Sequence, residues 1–221
     1  MSARPQALLF DLDGTLIDSA PDLAGSANDM RAARGMAPLP QAQFRPMVGA
    51  GARGMVGIAM GITPGDAGFE ELRDEFLDIY ARRLLRETRV FDAVELVLRE
   101  IEAMRMPWGI VTNKAQRYTT PVVEGLGLHR RAAVVVSGDT TAHAKPHPEP
   151  LLEAARRIGV AANTCIYVGD DFRDVQAGRA AGMKTVVAAW GYLGKDEPVS
   201  AWGADIVVET PCELLKTIGL A

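Results

Sequence analysis

Ala7-Leu8-Leu9-Phe10-Asp11-Leu12-Asp13-Gly14-Thr15 is the stretch on which the fold turns. Four apolar residues run without polar alternation into two acids, a glycine and a threonine. An apolar run this short, closed by turn residues, predicts a strand buried on both faces, as in a parallel sheet covered by helices. The same signature returns at Trp108–Val111, Ala133–Val136, Cys165–Val168, Thr185–Ala189 and Ile206–Val208.

Between these runs the apolar residues take up helical spacing. In Ala93–Arg105 they fall at Val94, Val97, Leu98, Ile101 and Met104, one face of a helix. Leu151, Leu152, Ala155 and Ile158 repeat the pattern, and Gly159 supplies a C-terminal stop. A third helix should follow Asp171 and end near Gly182. Strand and helix in alternation predict an α/β fold, a doubly wound, mostly parallel, Rossmann-like sheet.

Residues 19–87 break the alternation. They carry only helical patterns, with turns at Ala37–Gln41 and Thr63–Gly68 and the clearest helix over Phe69–Arg86. So long an interval between consecutive strands exceeds a crossover helix. The expectation is an α/β core built from 1–18 and 88–221, with a helical cap domain at 19–87 inserted into it.

Composition narrows the function classes. The 221 residues are 48% hydrophobic and 24% charged, with 24 basic against 28 acidic residues and a formal charge of −4. No basic stripe suited to a nucleic-acid backbone is visible, and no apolar run is long enough to span a bilayer. Met1–Gln6 lacks the pattern of a secretory signal. Cys165 and Cys212 belong to no metal-spaced motif and read as reduced, mostly buried thiols, so a cytoplasmic protein is expected. Oligomeric state, monomer or homodimer, is left open.

Four short motifs carry chemistry: Asp11-Leu12-Asp13-Gly14-Thr15, Thr112-Asn113, Lys145-Pro146 and Gly169-Asp170-Asp171-Phe172-Arg173-Asp174. Three of them directly follow predicted strands. In an open parallel sheet the carboxyl ends of neighbouring strands meet at one crevice. Carboxylates, a hydroxyl and a lysine gathered there suit phosphoryl transfer. Asp11 attacking a phosphate dianion meets repulsion of roughly 4 kcal/mol per unit pair at ~4 Å and an effective dielectric of about 20. Mg²⁺ held by Asp11, the Asp13 backbone carbonyl and Asp170 would offset it, with Lys145 neutralising phosphate oxygens from the other side. Thr112 and the backbone N–H groups around Leu12, Asp13 and Asn113 would donate to the phosphoryl oxygens. Asp13 is placed to protonate the departing oxygen and then to activate the water that hydrolyses an aspartyl-phosphate. Asp174 would orient Lys145 or a metal-bound water, and Asp171 would either support the metal site or cap the following helix.

In order and spacing these motifs resemble the four motifs of the haloacid dehalogenase superfamily, over essentially the whole chain. The resemblance implies a helical cap at Ser19–Glu87, Mg²⁺ as cofactor and hydrolysis of a small phosphorylated metabolite. Three departures narrow it. Members that break carbon–halogen bonds lack the second aspartate, which is present here as Asp13. Phosphonate-cleaving members use a cap lysine, and no lysine precedes Lys114. Mutases with this cap place a histidine near the position of Leu23. What remains resembles the phosphoglycolate phosphatase type. Gly49–Val56, Trp108–Lys114, Gly191-Tyr192 and Trp202–Val208 also resemble a bacterial subgroup acting on N-acetylmuramic acid 6-phosphate in cell-wall recycling. Both substrates carry a carboxylate, which Arg45 or Arg53 of the cap could bind bidentately. A phospho-aspartate signalling or ligand-binding protein without turnover is the rival class.

Gly49-Ala50-Gly51-Ala52-Arg53-Gly54 matches the glycine spacing of a dinucleotide loop but lacks the preceding strand and the distal acid that ends a second strand. A tight turn feeding a cap helix, or a cap loop presenting Arg53, is expected there. His129, His143 and His147 lack ligand spacing and read as structural.

Overall fold

The computed structural model describes residues 4–195 and 197–219. Six parallel strands form the sheet: β1 (Ala7–Phe10), β4 (Trp108–Val111), β5 (Val134–Val136), β6 (Cys165–Gly169), β7 (Lys184–Ala188) and β8 (Ile206–Val208). Their spatial order is β5-β4-β1-β6-β7-β8. The chain leaves the central β1, builds β4 and β5 on one side, then crosses to build β6, β7 and β8 on the other. Phe10 lies opposite both Ile110 and Val168. The residues that follow these three strands therefore emerge side by side at the carboxyl edge, where the order reverses.

Alternate residues of each strand feed two apolar layers. Leu8 and Phe10 join Trp108 and Ile110 on one face, packed on Val94, Val97, Leu98 and Ile101 of α5 (Asp92–Ala103). Ala7, Leu9 and Val111 face the other way, against Leu151, Ala154 and Ala155 of α7 (Glu149–Ile158) and Ala177 of α8 (Phe172–Ala180). Leu8 and Leu9 are fully buried, and each such side chain contributes roughly 1.5–3 kcal/mol of transfer free energy. Helix α7 stops at Gly159, whose φ of 84° lets its N–H return to Ala155 and Arg156 carbonyls. Two further helices, α6 (Gln116–Gly125) and α9 (Pro211–Thr217), complete the cover.

Between β1 and β4 the chain carries an insert of four α-helices: α1 (Ala20–Ala32), α2 (Gln41–Phe44), α3 (Gly51–Met60) and α4 (Phe69–Ala81). Phe44, Met55, Val56, Phe69 and Phe76 make its interior. Helix α4 stops at Ala81, short of Arg86, because the chain tightens there. Arg82, Arg83 and Arg86 donate to carbonyls three residues back, which turns the chain toward the core. The insert is tethered by a two-residue antiparallel ladder, β2 (Ile17–Asp18) with β3 (Arg89–Val90). Fully buried Asp22 fastens it further. Its Oδ2 accepts from the Glu87 N–H at 3.0 Å and from the N–H and hydroxyl of Thr88 at 2.8 Å each. Among the described residues no helix is long and apolar enough to cross a membrane.

Candidate active site

Strand β1 delivers Asp11, whose N–H is fixed on the Val168 carbonyl at 2.9 Å. The chain then folds back: Leu16 and Ile17 donate to the Leu12 carbonyl. The turn needs Gly14, at φ 87°, where a Cβ would lie 2.2 Å from Asp170 Oδ2. Strand β4 delivers Thr112, only 3% exposed. Strand β6 delivers Asp170, whose Oδ1 accepts from Thr15 Oγ1 at 2.8 Å and Oδ2 from the Tyr192 N–H at 2.7 Å. Asp171 caps α8: it accepts from the Arg173 N–H at 2.9 Å, while Asp174 Oδ2 accepts from the Asp171 N–H at 3.1 Å. Capping leaves Asp174 Oδ1 turned inward.

Lys145 arrives from the loop ahead of α7. Asn113 holds its backbone from both ends, Oδ1 accepting from the Lys145 N–H and Nδ2 donating to the Lys145 carbonyl, each at 2.9 Å. The Asn113 side chain is thereby committed to placing Lys145. The buried ammonium lies 2.8 Å from Asp11 Oδ1, 2.7 Å from Asp174 Oδ1, 2.7 Å from the Tyr167 hydroxyl and 2.9 Å from the Val111 carbonyl.

The electrostatics are unbalanced. Carboxylate oxygens of Asp11, Asp170 and Asp174 lie within 4.8 Å of one another, all deeply placed, against the single charge of Lys145. Burial pushes the Asp11 carboxyl up to about 7, with Lys145 pulling it down and Asp174 adding to the rise. Burial, reinforced by Asp11 and Asp174, likewise holds Asp170 well above the carboxylate range. Burial alone would lower Lys145, yet Asp11 and Asp174 keep its ammonium above the ordinary value. Three hard oxygen donors with surplus negative charge are what a divalent cation needs. The carbonyl of Asp13 accepts no hydrogen bond from the described residues, so it too is free to ligate.

Two further features leave polar groups at the site without partners. Among the described residues Asp11 Oδ2 receives no hydrogen bond, and the backbone N–H groups of Leu12, Asp13 and Asn113 meet no protein acceptor. The carboxylate of Asp11 and the free donors of Asp13 and Asn113 thus meet at one cavity of about 290 Å³. Asp11, Asp13, Thr112, Lys145, Asp170 and Asp174 line its floor, and Leu23, Val48, Ala52, Phe76 and Leu77 of the insert line its roof.

The four motifs assign no role to Lys114, Tyr80 or Tyr192, although Lys114 and Tyr192 fall within the stretches Trp108–Lys114 and Gly191-Tyr192. The Lys114 ammonium bonds both Asp13 oxygens, at 3.0 and 3.1 Å, and the Tyr80 hydroxyl of α4 at 2.7 Å. Ser19 Oγ also donates to Asp13 Oδ1, at 2.5 Å. Tyr192 accepts at its hydroxyl from the Ser19 and Ala20 N–H groups, at 2.9 and 3.0 Å, and contacts Asp18 Oδ1 at 3.0 Å. No periodicity marks such residues, because their partners lie up to 174 positions away. Arg45 does not line the cavity. It pairs with Asp18 at 3.0 Å and covers the Tyr192 ring at 4.9 Å. Arg53 lines a neighbouring hollow of about 310 Å³ with Lys195 and Trp202. The glycine-rich segment does reach the site, since Gly49, Gly51 and Ala52 line the main cavity.

Residues 8–188 match the haloacid dehalogenase-like hydrolase family. The chain belongs to that family. It is 49% identical to a phosphoglycolate phosphatase of Xanthomonas campestris pv. campestris over 95% of both chains. It is 39% identical to an N-acetylmuramic acid 6-phosphate phosphatase of Pseudomonas aeruginosa over 99% of this chain and 96% of the relative. The crystal structure of a predicted phosphoglycolate phosphatase from Haemophilus somnus superposes with a TM-score of 0.84 at 24% identity, over 98% and 99% of the two chains, and shares the fold. This haloacid dehalogenase-like hydrolase is a phosphatase, a phosphoric monoester hydrolase. Membership sets aside the phospho-aspartate signalling class.

Proposed function

We propose that the protein hydrolyses the phosphomonoester of a small carboxylate-bearing metabolite with Mg²⁺, through an aspartyl-phosphate on Asp11. The observation that carries this reading is the asymmetry of Asp11. Its Oδ1 is held by Lys145, while Oδ2 receives no hydrogen bond from the described residues and the residue lines the cavity. In the first step Oδ2 forms a bond to phosphorus as the ester P–O bond breaks. Asp13 gives its proton to the leaving oxygen, and Thr112, Lys145 and the free N–H groups hold the phosphoryl oxygens. In the second step Asp13 takes a proton from water, whose oxygen bonds to phosphorus, and inorganic phosphate and the Asp11 carboxylate are released. Asp11, Asp170 and the Asp13 carbonyl would hold Mg²⁺, with Asp174 and Asp171 behind them; when bound it supplies charge neutralisation for the entering phosphate.

The relatives' names support two substrates, phosphoglycolate and N-acetylmuramic acid 6-phosphate. The apolar roof of Leu23, Val48, Ala52, Phe76 and Leu77 favours the second, larger ester, whose acyl and lactyl groups have methyls to bury there. For the carboxylate, Arg117 is the better-placed cation: it lines the cavity and pairs with no acid among the described residues. Cys165 and Cys212 are both free thiols, the first buried as expected and the second exposed, contrary to expectation; free thiols are in keeping with the cytoplasm as the proposed compartment.

A panel of phosphoglycolate, N-acetylmuramic acid 6-phosphate and simple sugar phosphates tests the reading. Mg²⁺-dependent phosphate release, strongest on a carboxylate-bearing ester and lost in Asp11→Asn, is expected. Release that survives Asp11→Asn, or that prefers esters without a carboxylate, would contradict it.

A further inference from the structure

We infer that Lys114, acting through Tyr80, is a positioning residue that makes the placement of Asp13 depend on the cap. The inference rests on the acid–base reading of Asp13 and adds the device that holds it. The Lys114 backbone belongs to the core: its N–H donates to Thr112 Oγ1 at 3.1 Å, and its carbonyl accepts from the Gly138 N–H at 2.9 Å. From this anchor the side chain, 8% exposed, reaches Asp13 and Tyr80 at the cavity wall. An ammonium has three protons. Two are taken by the Asp13 oxygens and one by the Tyr80 hydroxyl, so its donors are saturated.

Tyr80 belongs to the insert and is itself held firmly. It is 2% exposed, stacks on Phe76 with ring centroids 6.2 Å apart and leans on Tyr118 at 5.7 Å. Its hydroxyl reaches Lys114 only with α4 over the core. With Tyr80 in place the ammonium has one position that satisfies all three donors, and that position fixes both oxygens of Asp13. Without Tyr80 one donor loses its acceptor, and the ammonium is free to swing toward others. Cap seating and proton transfer to the leaving oxygen are joined through one side chain.

The test exploits the leaving group. Breaking the P–O bond of an alkyl phosphate requires a proton for the departing oxygen, whereas p-nitrophenolate departs without one. In full-length protein with Mg²⁺, kcat/KM is measured on the best alkyl ester of the panel and on p-nitrophenyl phosphate. Lys114→Met should lose about 10²-fold on the alkyl ester and only a few-fold on the aryl ester. Tyr80→Phe, which deletes a single hydroxyl, should show a smaller loss with the same ester dependence. The double variant should be no worse than Lys114→Met alone, because the two residues act in series. Equal losses on both esters would make Lys114 a substrate-holding cation and overturn the inference, as would additive losses or none. Asp13→Asn serves as the control. If it lacks the ester dependence, the acid–base reading is at fault; if it shows the dependence and Lys114→Met does not, only the positioning role is.

Discussion

Lys145 Nζ stands 2.8 Å from Asp11 Oδ1, and the lysine side chain is 3% exposed. The same ammonium bonds Asp174 at 2.7 Å, so one cation orients the proposed nucleophile and offsets two buried carboxylates. Lys145→Met should cost about 3–5 kcal/mol of stability at pH 8, the scale for leaving buried charge unpaired. Urea melts measure it, and a variant as stable as the parent would place the compensation elsewhere.

The raised Asp11 carboxyl gives a pH signature to the metal-free protein. The folded chain keeps a proton on Asp11 up to about pH 7, whereas the unfolded chain releases it near the ordinary value of 3.8. The folded state therefore binds more protons across that window, and this group's contribution to stability falls as pH rises through it. Asp11→Asn removes the penalty. Under chelation it should match wild type near pH 4 and exceed it by on the order of 2–4 kcal/mol at pH 8. A gap that does not widen with pH would contradict the assignment.

Gly14 sits where no side chain fits. Its φ is 87°, and a methyl group added there would meet Asp170 Oδ2 at 2.2 Å and Tyr192 Cδ2 at 2.7 Å, so Gly14→Ala must displace Asp170. A shift of about 1 Å in such a group costs on the order of 10²-fold in rate. Activity measured against Mg²⁺ concentration should show that fall together with a higher Mg²⁺ requirement; unchanged kinetics would mean that Asp170 is not critical.

Tyr192 holds two parts of the site by separate atoms. Its N–H holds Asp170, while its hydroxyl takes the two N–H groups that begin α1. Tyr192→Phe keeps the first role and strands two buried donors, a loss of about 1–3 kcal/mol. Thermal melts should register it while the Mg²⁺ dependence of activity stays put. A shift in metal dependence with no loss of stability would reverse these roles.

The sheet was legible because its strands are uninterrupted apolar runs, and runs such as Ala7–Phe10 have few alternatives to a doubly covered strand. The convergence of Asp11, Thr112 and Asp170 on one cavity follows from where such strands end, whereas Lys145 comes from the loop ahead of α7 and is brought there by Asn113. What escaped the sequence is cross-chain geometry. The β2–β3 ladder is two residues long, too short for any period to register. Tyr80 reads as one more aromatic on the apolar face of α4, and only the fold brings its hydroxyl to Lys114. Arg45 and Arg53 looked equally able to meet a substrate, yet Asp18 takes the first and the second opens onto the neighbouring hollow. Charge type is visible in a sequence; which acid lies nearby in space is not.

The proposed chemistry stands or falls on whether Asp11 carries the phosphoryl group. Protein mixed with its best ester and Mg²⁺, acid-quenched within one turnover and digested, can be read by peptide mass. One added phosphoryl group is expected on the peptide containing Asp11, and none in Asp11→Asn. Rapid turnover with that peptide never modified, or with the group on another residue, would contradict it.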